Sequence, residues 1–190
     1  NYRKKAEIEG RMESAFENNE FHIFYQPKYN IKRGGMDGSE ILVRWFDTKI
    51  DHYRTPNEFL PIFEENGFIS RLDRFVFYKA CENAANMAEK NQPVYPFSVN
   101  VSRVTAIQPD FLEYYKRIKQ KFNIRDGFVT IEFTESFAYE NYEYLAGVIH
   151  ELHGSGFQCS LDDFGTGFSN LSYITGLRPE NIKIGRMFIN

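Results

Sequence analysis

Acidic and amide side chains recur along short runs of β-branched and aromatic residues, and this feature constrains the fold most. The runs contain Glu40, Asn100, Glu132 and the neighbouring pair Asp162 and Asp163. Carboxylates are costly to bury beside apolar residues unless another group pairs with them. A hard divalent cation is the usual partner for several carboxylates at once. The pattern therefore predicts a metal site.

Composition limits the classes of protein that this chain can belong to. Its 190 residues are 42% hydrophobic and 17% aromatic, which is enough for one domain with a substantial core. With 23 Lys and Arg against 26 Asp and Glu, the chain has a net charge of −3, and no DNA or RNA partner is expected. No apolar run reaches the roughly 20 residues that a membrane span needs.

A cytoplasmic location is expected, with no direct membrane insertion, although the parent protein could be tethered to a membrane. The cysteines Cys81 and Cys159 are isolated, which fits a reducing compartment. The chain begins at Asn1 and ends directly after an apolar run. We therefore expect it to be an excerpt of a longer protein.

The order of elements predicts an opening hairpin followed by alternating strands and helices. Residues 1–20 are predicted to form a charged amphipathic helix, and residues 21–27 the first strand. Further strands are predicted over 39–45, 97–102, 129–134, 158–163 and 182–188, and helices over 56–64, 72–90, 111–122, 142–153 and shortly after Asn170. Such alternation implies a parallel sheet, either doubly wound or closed into a barrel.

The positions of the polar residues favour a barrel. In barrels the functional residues come from the carboxyl ends of many strands, whereas doubly wound sheets concentrate them beside a glycine-rich turn. Nearly every predicted strand here carries a polar residue, and no Gly-x-Gly-x-x-Gly sequence opens a helix.

Seven motifs occur in the order seen in the EAL domain family, and the chain resembles that family over essentially its whole length. The motifs are Tyr25-Gln26-Pro27, Glu40-Ile41-Leu42-Val43-Arg44-Trp45, Pro56-Asn57-Glu58-Phe59, Val99-Asn100-Val101-Ser102, Ile131-Glu132-Phe133-Thr134-Glu135, Asp162-Asp163-Phe164-Gly165-Thr166-Gly167 and Ile182-Lys183-Ile184. Members of the family are bacterial cyclic di-GMP phosphodiesterases, or inactive relatives that bind the same messenger. The resemblance implies a modified TIM (β/α) barrel whose first strand is antiparallel.

The resemblance also implies two Mg²⁺ or Mn²⁺ ions, which clamp the scissile phosphate and activate water for hydrolysis to linear pGpG. The positions that match ligands of the first ion are Glu40, Asn100, Glu132 and Asp162, and those of the second are Asp162 and Asp163. Lys183 matches the lysine that helps position the attacking water, so Lys183 and Asp163 are the expected catalytic residues.

Further positions match residues that contact the ligand or support the site. Arg44 lies where the family contacts phosphate, and Gln26 and Leu42 resemble ligand-contacting residues, the second against a guanine. Glu135 resembles the residue that stabilises the Asp-Phe-Gly-Thr-Gly loop. In the alternative interpretation, Arg44 and Lys183 only neutralise buried acids, and Leu42 belongs to the core.

Three departures from the family pattern bear on activity. The family's Glu-Ala-Leu is Glu40-Ile41-Leu42 here, a change that a strand tolerates. The family's Lys-Ile-Asp is Lys183-Ile184-Gly185, so a supporting carboxylate is absent. The family's closing strands, with a further catalytic glutamate and a ligand-contacting glutamine, have no counterpart, and the barrel is expected to be incomplete at its C-terminal end.

We therefore expect a helix or linker to an upstream domain over residues 1–20 and an EAL domain over residues 21–190. The favoured function is that of a cyclic di-GMP phosphodiesterase, and the alternative is an inactive receptor or regulatory module that binds cyclic di-GMP. A purely structural scaffold is the third hypothesis. The 190 residues alone are expected to form no pGpG. Expected partners are a second copy in a homodimer and an upstream GGDEF or sensory domain.

Overall fold

The computed structural model describes residues 2–165 and 175–185. In these residues, seven complete helices accompany a seven-stranded sheet, and residues 175–177 are also helical. The helices are α1 (Tyr2–Glu17), α2 (Pro56–Asn66), α3 (Ile69–Glu89), α4 (Arg103–Ala106), α5 (Phe111–Lys121), α6 (Glu135–Glu140) and α7 (Tyr142–Gly154). The strands are β1 (Phe21–Asn30), β2 (Gly35–Asp47), β3 (His52–Arg54), β4 (Phe97–Asn100), β5 (Val129–Thr134), β6 (Gln158–Phe164) and β7 (Asn181–Ile184).

The sheet has the order β1-β2-β4-β5-β6-β7, with β3 paired to the end of β2. Strands β1 and β2 are antiparallel, whereas β2, β4, β5, β6 and β7 are parallel to one another. Helical crossovers join β4 to β5 and β5 to β6, as parallel pairing requires. The predicted modified TIM barrel with an antiparallel first strand is confirmed, and the described strands form a curled part of that barrel.

The β1–β2 hairpin is fixed by its turn and by one close contact. The side chain of Asn30 accepts hydrogen bonds from the backbone N–H groups of Lys32 and Arg33, and Gly34 has a left-handed φ of 69°. Farther along β2, a Cβ atom at Gly38 would lie only 2.6 Å from the carbonyl oxygen of Pro96. Only glycine therefore allows this close approach.

Alternation along the parallel strands separates an outer apolar face from an inner polar face. On β5, Val129, Ile131 and Phe133 are completely buried within the cluster of apolar residues formed with α3, α5 and α7. The intervening Thr130 and Glu132 line the interior of the curled sheet. Because side chains on a strand alternate with period two, the same pattern places polar groups of neighbouring strands together inside.

Helix α1 packs on the hairpin through apolar and charged contacts. Ile8 and Ala15 are completely buried, in the cluster that contains Phe21, Trp45 and Phe59. Beside them, Arg11 contacts the carboxylates of Glu20 and Asp47 at 2.9 Å. Arg54 contacts Asp47 from the other side, at 2.6 Å. We call Arg11, Glu20, Asp47 and Arg54 the α1 ion network.

Most predicted elements occur with small shifts of their ends. Strand β1 continues to Asn30 rather than ending at Pro27, and α3 begins at Ile69. The short strand β3 and the helices α4 and α6 were not predicted. The helix predicted after Asn170 lies partly outside the described residues, as does the predicted strand end beyond Gly185. Of the helices that the structure describes, none has the length and apolar character needed to cross a bilayer.

Candidate functional site

Three carboxylates from three strands converge on the inner face of the sheet. Glu40 comes from β2, Glu132 from β5 and Asp162 from β6, and one oxygen of each lies within 4.8 Å of the others. The parallel register causes this convergence, because Glu132 is paired with Asn100 of β4, and Asp162 with Thr134 of β5. Glu132 is almost completely buried, whereas the other two are partly exposed.

Lys183 of β7 lies at the centre of these carboxylates. Its Nζ atom is 2.9 Å from Oε2 of Glu40, 2.8 Å from Oε2 of Glu132 and 2.8 Å from Oδ2 of Asp162. Burial alone lowers the pKa of Lys183, but the hydrogen bonds to Asp162 and Glu132 outweigh it and the pKa lies above its ordinary value. Lys183 therefore remains a charged donor. We call Glu40, Glu132, Asp162 and Lys183 the carboxylate–lysine cluster.

A second lysine binds the other oxygen of Glu132. Nζ of Lys28, on β1, lies 2.9 Å from Oε1 of Glu132 and 2.6 Å from Oγ of Ser98. Burial alone raises the pKa of Glu132, but Lys183 and Lys28 together hold it below its ordinary value. Glu132 is thus kept ionised, with each of its oxygens facing a different ammonium group.

Asn100 and Asp163 lie at the edge of the cluster. The Nδ2 group of Asn100 donates to Oε1 of Glu40 at 2.9 Å, which turns the amide oxygen away from that contact and makes it a candidate ligand. Asp163 has a left-handed φ of 58°, and its backbone N–H donates to Oδ1 of Asp162. The carboxylate of Asp163 is not one of the three that converge.

The donor set fits a hard divalent cation. The three converging side chains supply carboxylate oxygens, and Asn100 supplies an amide oxygen. Mg²⁺ and Mn²⁺ prefer such oxygen ligands, whereas softer metals select nitrogen or sulfur. Four of the five expected metal ligands, Glu40, Asn100, Glu132 and Asp162, therefore lie where they could hold one ion, whereas Asp163 is not among the converging carboxylates.

The expected ligand-binding residues line two different cavities. Leu42 and Arg44 line a cavity of about 180 Å³, to which Asn100 and Glu132 also contribute. Gln26 lines the larger interior cavity of about 690 Å³ and is paired with Glu40 in the hairpin register. Glu132 lines both cavities, so the acidic residues lie between Gln26 and Arg44.

Two glycine positions and Glu135 shape the surroundings of the cluster. The backbone N–H of Gly165 donates to Oε2 of Glu135 at 2.9 Å, a contact at the start of the loop that Glu135 is expected to stabilise. Gly167 lies outside the described residues. Gly185 is buried and donates its N–H to the carbonyl of Phe164, so that position brings no carboxylate to Lys183.

Sequence reasoning missed two polar residues near the site. Lys28 lies two residues after Gln26, so the period of a strand places both on the inner face. Asp73 of α3 accepts hydrogen bonds from the backbone N–H of Ser102 and the hydroxyl of Thr105, which fixes the turn after Asn100. Burial raises the pKa of Asp73 to about 6. No motif in the sequence indicated that Asp73 reaches this turn.

Comparison with known proteins gives a consistent set of relatives. The model of the EAL domain matches residues 9–190. The chain is 33% identical over 190 residues to the probable cyclic di-GMP phosphodiesterase PdeG of Escherichia coli strain K12, covering 99% of this chain and 37% of that protein. It is 30% identical over 179 residues to the signaling protein YkoW of Bacillus subtilis strain 168, covering 94% of this chain and 22% of YkoW.

Solved structures show the same fold. The PaMucR phosphodiesterase in complex with c-di-GMP matches with a TM-score of 0.90 and 28% sequence identity, covering 97% of this chain and 74% of that chain. The EAL enzyme Bd1971 with cAMP and cyclic di-GMP bound matches with a TM-score of 0.86 and 25% identity, covering 97% of this chain and 51% of that chain. The chain spans about a fifth of the length of YkoW and less than two-fifths of the length of PdeG.

Proposed function

Because this chain belongs to the EAL domain family, we propose that it is the cyclic di-GMP phosphodiesterase domain of a longer protein, which forms linear pGpG with two divalent ions, Mg²⁺ or Mn²⁺. The printed names of its relatives support the ligand, since PdeG is a probable cyclic di-GMP phosphodiesterase and the PaMucR phosphodiesterase is seen with c-di-GMP. Identity of about 30% supports a shared family more strongly than it supports a shared activity.

The convergence of Glu40, Glu132 and Asp162 carries the proposal. Their oxygens lie within 4.8 Å of one another on an inner face where packing alone requires no acids. A buried group of like charges is costly unless cations compensate it, and it is a good candidate for a functional site.

Each residue of the site has a proposed role. Glu40, Asn100, Glu132 and Asp162 would hold the first ion, and Asp162 and Asp163 would hold the second. When bound, such ions supply positive charge to the phosphate oxygens and lower the pKa of water. Lys183 holds its proton on Nζ and donates hydrogen bonds, so it orients the attacking water and does not act as the base.

The ligand-contacting residues complete the proposal. Arg44 offers a planar guanidinium fork suited to a phosphate. Its Nη1 donates a hydrogen bond to the carbonyl oxygen of Val43 at 2.8 Å. Leu42 packs against a guanine, and Gln26 contacts the ligand from β1. Glu135 holds the loop that begins at Gly165.

Gly185 favours a second function, that of a receptor which binds cyclic di-GMP without hydrolysing it. The position two residues after Lys183 carries no side chain, so nothing there supports the lysine or the attacking water. Removing a carboxylate near a metal site weakens metal binding and catalysis. The prediction that these 190 residues form no pGpG rests in part on this position.

We also propose that the domain acts within a larger protein, beside a GGDEF or sensory domain, and as a homodimer. The larger protein is supported by the length of the relatives, together with the printed name of MucR of Pseudomonas aeruginosa, a bifunctional diguanylate cyclase/cyclic di-GMP phosphodiesterase that is 27% identical over 194 residues.

The test is to incubate the full-length protein that contains this domain with cyclic di-GMP and Mn²⁺, then separate the nucleotides by chromatography. Formation of pGpG, lost in a Glu132→Gln variant, establishes the enzyme. Retention of cyclic di-GMP in equilibrium dialysis without pGpG establishes the receptor. If the protein neither forms pGpG nor retains cyclic di-GMP, both functions are contradicted and the structural scaffold is the hypothesis that remains.

A further inference from the structure

A group of aromatic side chains lies on the same face of the hairpin as the site. In the register of β1 and β2, Phe24 is paired with Leu42, and His22 with Arg44. Paired residues of antiparallel strands project to the same side of the sheet. Two residues along the hairpin, Gln26 is paired with Glu40, one of the three converging carboxylates. Phe24 and His22 therefore share the inner face with the proposed ligand-contacting residues.

The opposite face of the hairpin confirms this assignment of sides. Phe21 and Trp45 are paired in the register, and their ring centroids are 5.3 Å apart. Both are buried against Phe59 and Phe63 of α2. Because Phe21 and Trp45 are odd-numbered positions that pack against helices, the even-numbered positions of the two strands face the interior.

Tyr53 of β3 joins the inner-face rings into one surface. Its ring centroid is 5.0 Å from that of Phe46, 5.9 Å from that of Phe24 and 6.4 Å from that of His22, all in edge-to-face arrangements. Phe24 and Tyr53 are nevertheless 45% and 41% exposed. We call Phe24, Phe46 and Tyr53 the mouth aromatics.

A group of exposed aromatic rings indicates a binding surface more strongly than single exposed rings do. Single exposed rings are common on protein surfaces and need no explanation, whereas a contiguous patch beside a polar site indicates binding. Tyr29, at the other end of β1, is 70% exposed and has no ring neighbour among the described residues. The mouth aromatics instead lie around Leu42 and Arg44, where the proposed ligand contacts the hairpin.

We propose that the mouth aromatics form a stacking surface for one purine base of the bound cyclic dinucleotide. This inference rests on the proposed function, because the acids and Arg44 must hold the phosphates. Leu42 is two residues from Glu40, roughly 7 Å along the strand. A base linked through its ribose to a phosphate at the carboxylates can therefore reach the ring of Phe24, which is paired with Leu42, and the ring of Tyr53, which lies 5.9 Å from that of Phe24.

Stacking on these rings is expected to contribute to the affinity for the nucleotide and little to the choice between purine bases. Every base has a π face, so the surface adds affinity for purines in general and selects guanine only weakly. Removing one ring is expected to weaken binding by roughly tenfold to a hundredfold. Replacing one ring by another is expected to have little effect, because the face and not the hydroxyl makes the contact.

The experiment measures the affinity for fluorescently labelled cyclic di-GMP by anisotropy, in the presence of Mn²⁺. Tyr53→Ala and Phe24→Ala are expected to weaken binding by tenfold or more, whereas Tyr53→Phe and the control Tyr29→Ala bind like the wild type. Unlabelled cyclic di-AMP, added as a competitor, is expected to lose affinity in parallel. Mn²⁺ affinity and the melting temperature are measured for each variant.

Unchanged binding by Tyr53→Ala and Phe24→Ala overturns the inference while leaving the proposed function intact. A loss of Mn²⁺ binding or of the melting transition in both variants also overturns it, since the rings then support the fold. Absence of binding by the wild type contradicts the proposed function and removes the basis of the inference with it.

Discussion

The α1 ion network and the carboxylate–lysine cluster both take acidic side chains out of water, but they differ in access to solvent. In the α1 ion network, the side chains of Glu20 and Asp47 are 1% and 0% exposed, and that of Arg54 is 5% exposed. In the carboxylate–lysine cluster, the side chain of Lys183 is 29% exposed and that of Asp162 is 23% exposed. The first cluster is closed, and the second opens onto the interior cavity.

The cations also differ. The cations of the α1 ion network are arginines, and Arg11 contacts both oxygens of Glu20. The indole of Trp45 donates a further hydrogen bond to the same carboxylate. The cation of the carboxylate–lysine cluster is a lysine, and the compact ammonium group of Lys183 contacts three carboxylates. An arginine fork fixes geometry, whereas a lysine on a flexible stem can yield its place to another cation. The difference supports a structural role for the α1 ion network and the proposed functional role for the carboxylate–lysine cluster.

The largest effect is expected from breaking the closed network. Asp47→Ala leaves Arg11 and Arg54 facing each other without their shared carboxylate, which is expected to lower the free energy of unfolding by about 3–5 kcal/mol. Urea denaturation checks this value. The control Glu89→Ala, at an exposed position, is expected to change stability by less than about 0.5 kcal/mol. Equal stability of the two variants contradicts the structural role.

Glu40→Gln tests the open cluster. It removes one charged ligand while Lys183 keeps Glu132 and Asp162, so the affinity for Mn²⁺ is expected to fall on the order of a hundredfold. The melting temperature is expected to change little. Isothermal titration with Mn²⁺ measures the affinity, and Glu89→Gln is the matched control. An unchanged ion affinity shows that the metal assignment is wrong.

Glu58 lies outside both clusters, and its carboxylate makes a pH-dependent contribution to stability. Hydrogen bonds from Lys4 and from the backbone N–H of Thr55 lower the pKa of Glu58 to about 2. A depressed pKa stabilises the fold above the unfolded value of 4.5, and this contribution is lost as pH falls from there toward 2. Because Glu58 is partly exposed, Glu58→Gln is expected to cost about 1 kcal/mol at pH 7.

Urea denaturation of wild type and Glu58→Gln at a series of pH values follows this difference. The two proteins are expected to converge as the carboxyl becomes protonated below pH 4.5. A difference in stability that stays constant down to pH 3 is incompatible with the assigned pKa.

The smallest effect is expected at the edge of the open cluster. Lys28→Met removes a positive charge 2.9 Å from Glu132, so the affinity for Mn²⁺ is expected to rise by roughly threefold, because less charge competes with the ion. Lys32→Met, in the exposed turn, is the control, and both are measured by the same titration. A fall in Mn²⁺ affinity indicates instead that Lys28 orients Glu132.

The strand and helix order was predictable because period-two and helical patterns are strong over β5, α5 and α7. The three residues of β3 are too few to show a period, so that strand was missed together with Tyr53. Helix α6 follows β5 without a loop, and Thr134 caps it, which hid its start in the sequence. The structure then places five predicted site residues together: Glu40, Asn100, Glu132, Asp162 and Lys183.

Lys28 was missed for a physical reason. Pro27 was interpreted as the end of the first strand, since proline removes a backbone donor. Strand β1 is at the edge of the described sheet, where proline is tolerated, and it continues to Asn30. The side chain of Lys28 therefore remains on the inner face and reaches Glu132.

The most direct test of the account is a calorimetric titration of cyclic di-GMP into the protein, once with Mn²⁺ and once with EDTA. Saturable heat is expected with Mn²⁺ and none with EDTA, since the carboxylates repel the phosphates unless divalent ions lie between them. Equal binding under the two conditions, or no binding in either, contradicts the claim that the carboxylate–lysine cluster is a metal-dependent dinucleotide site.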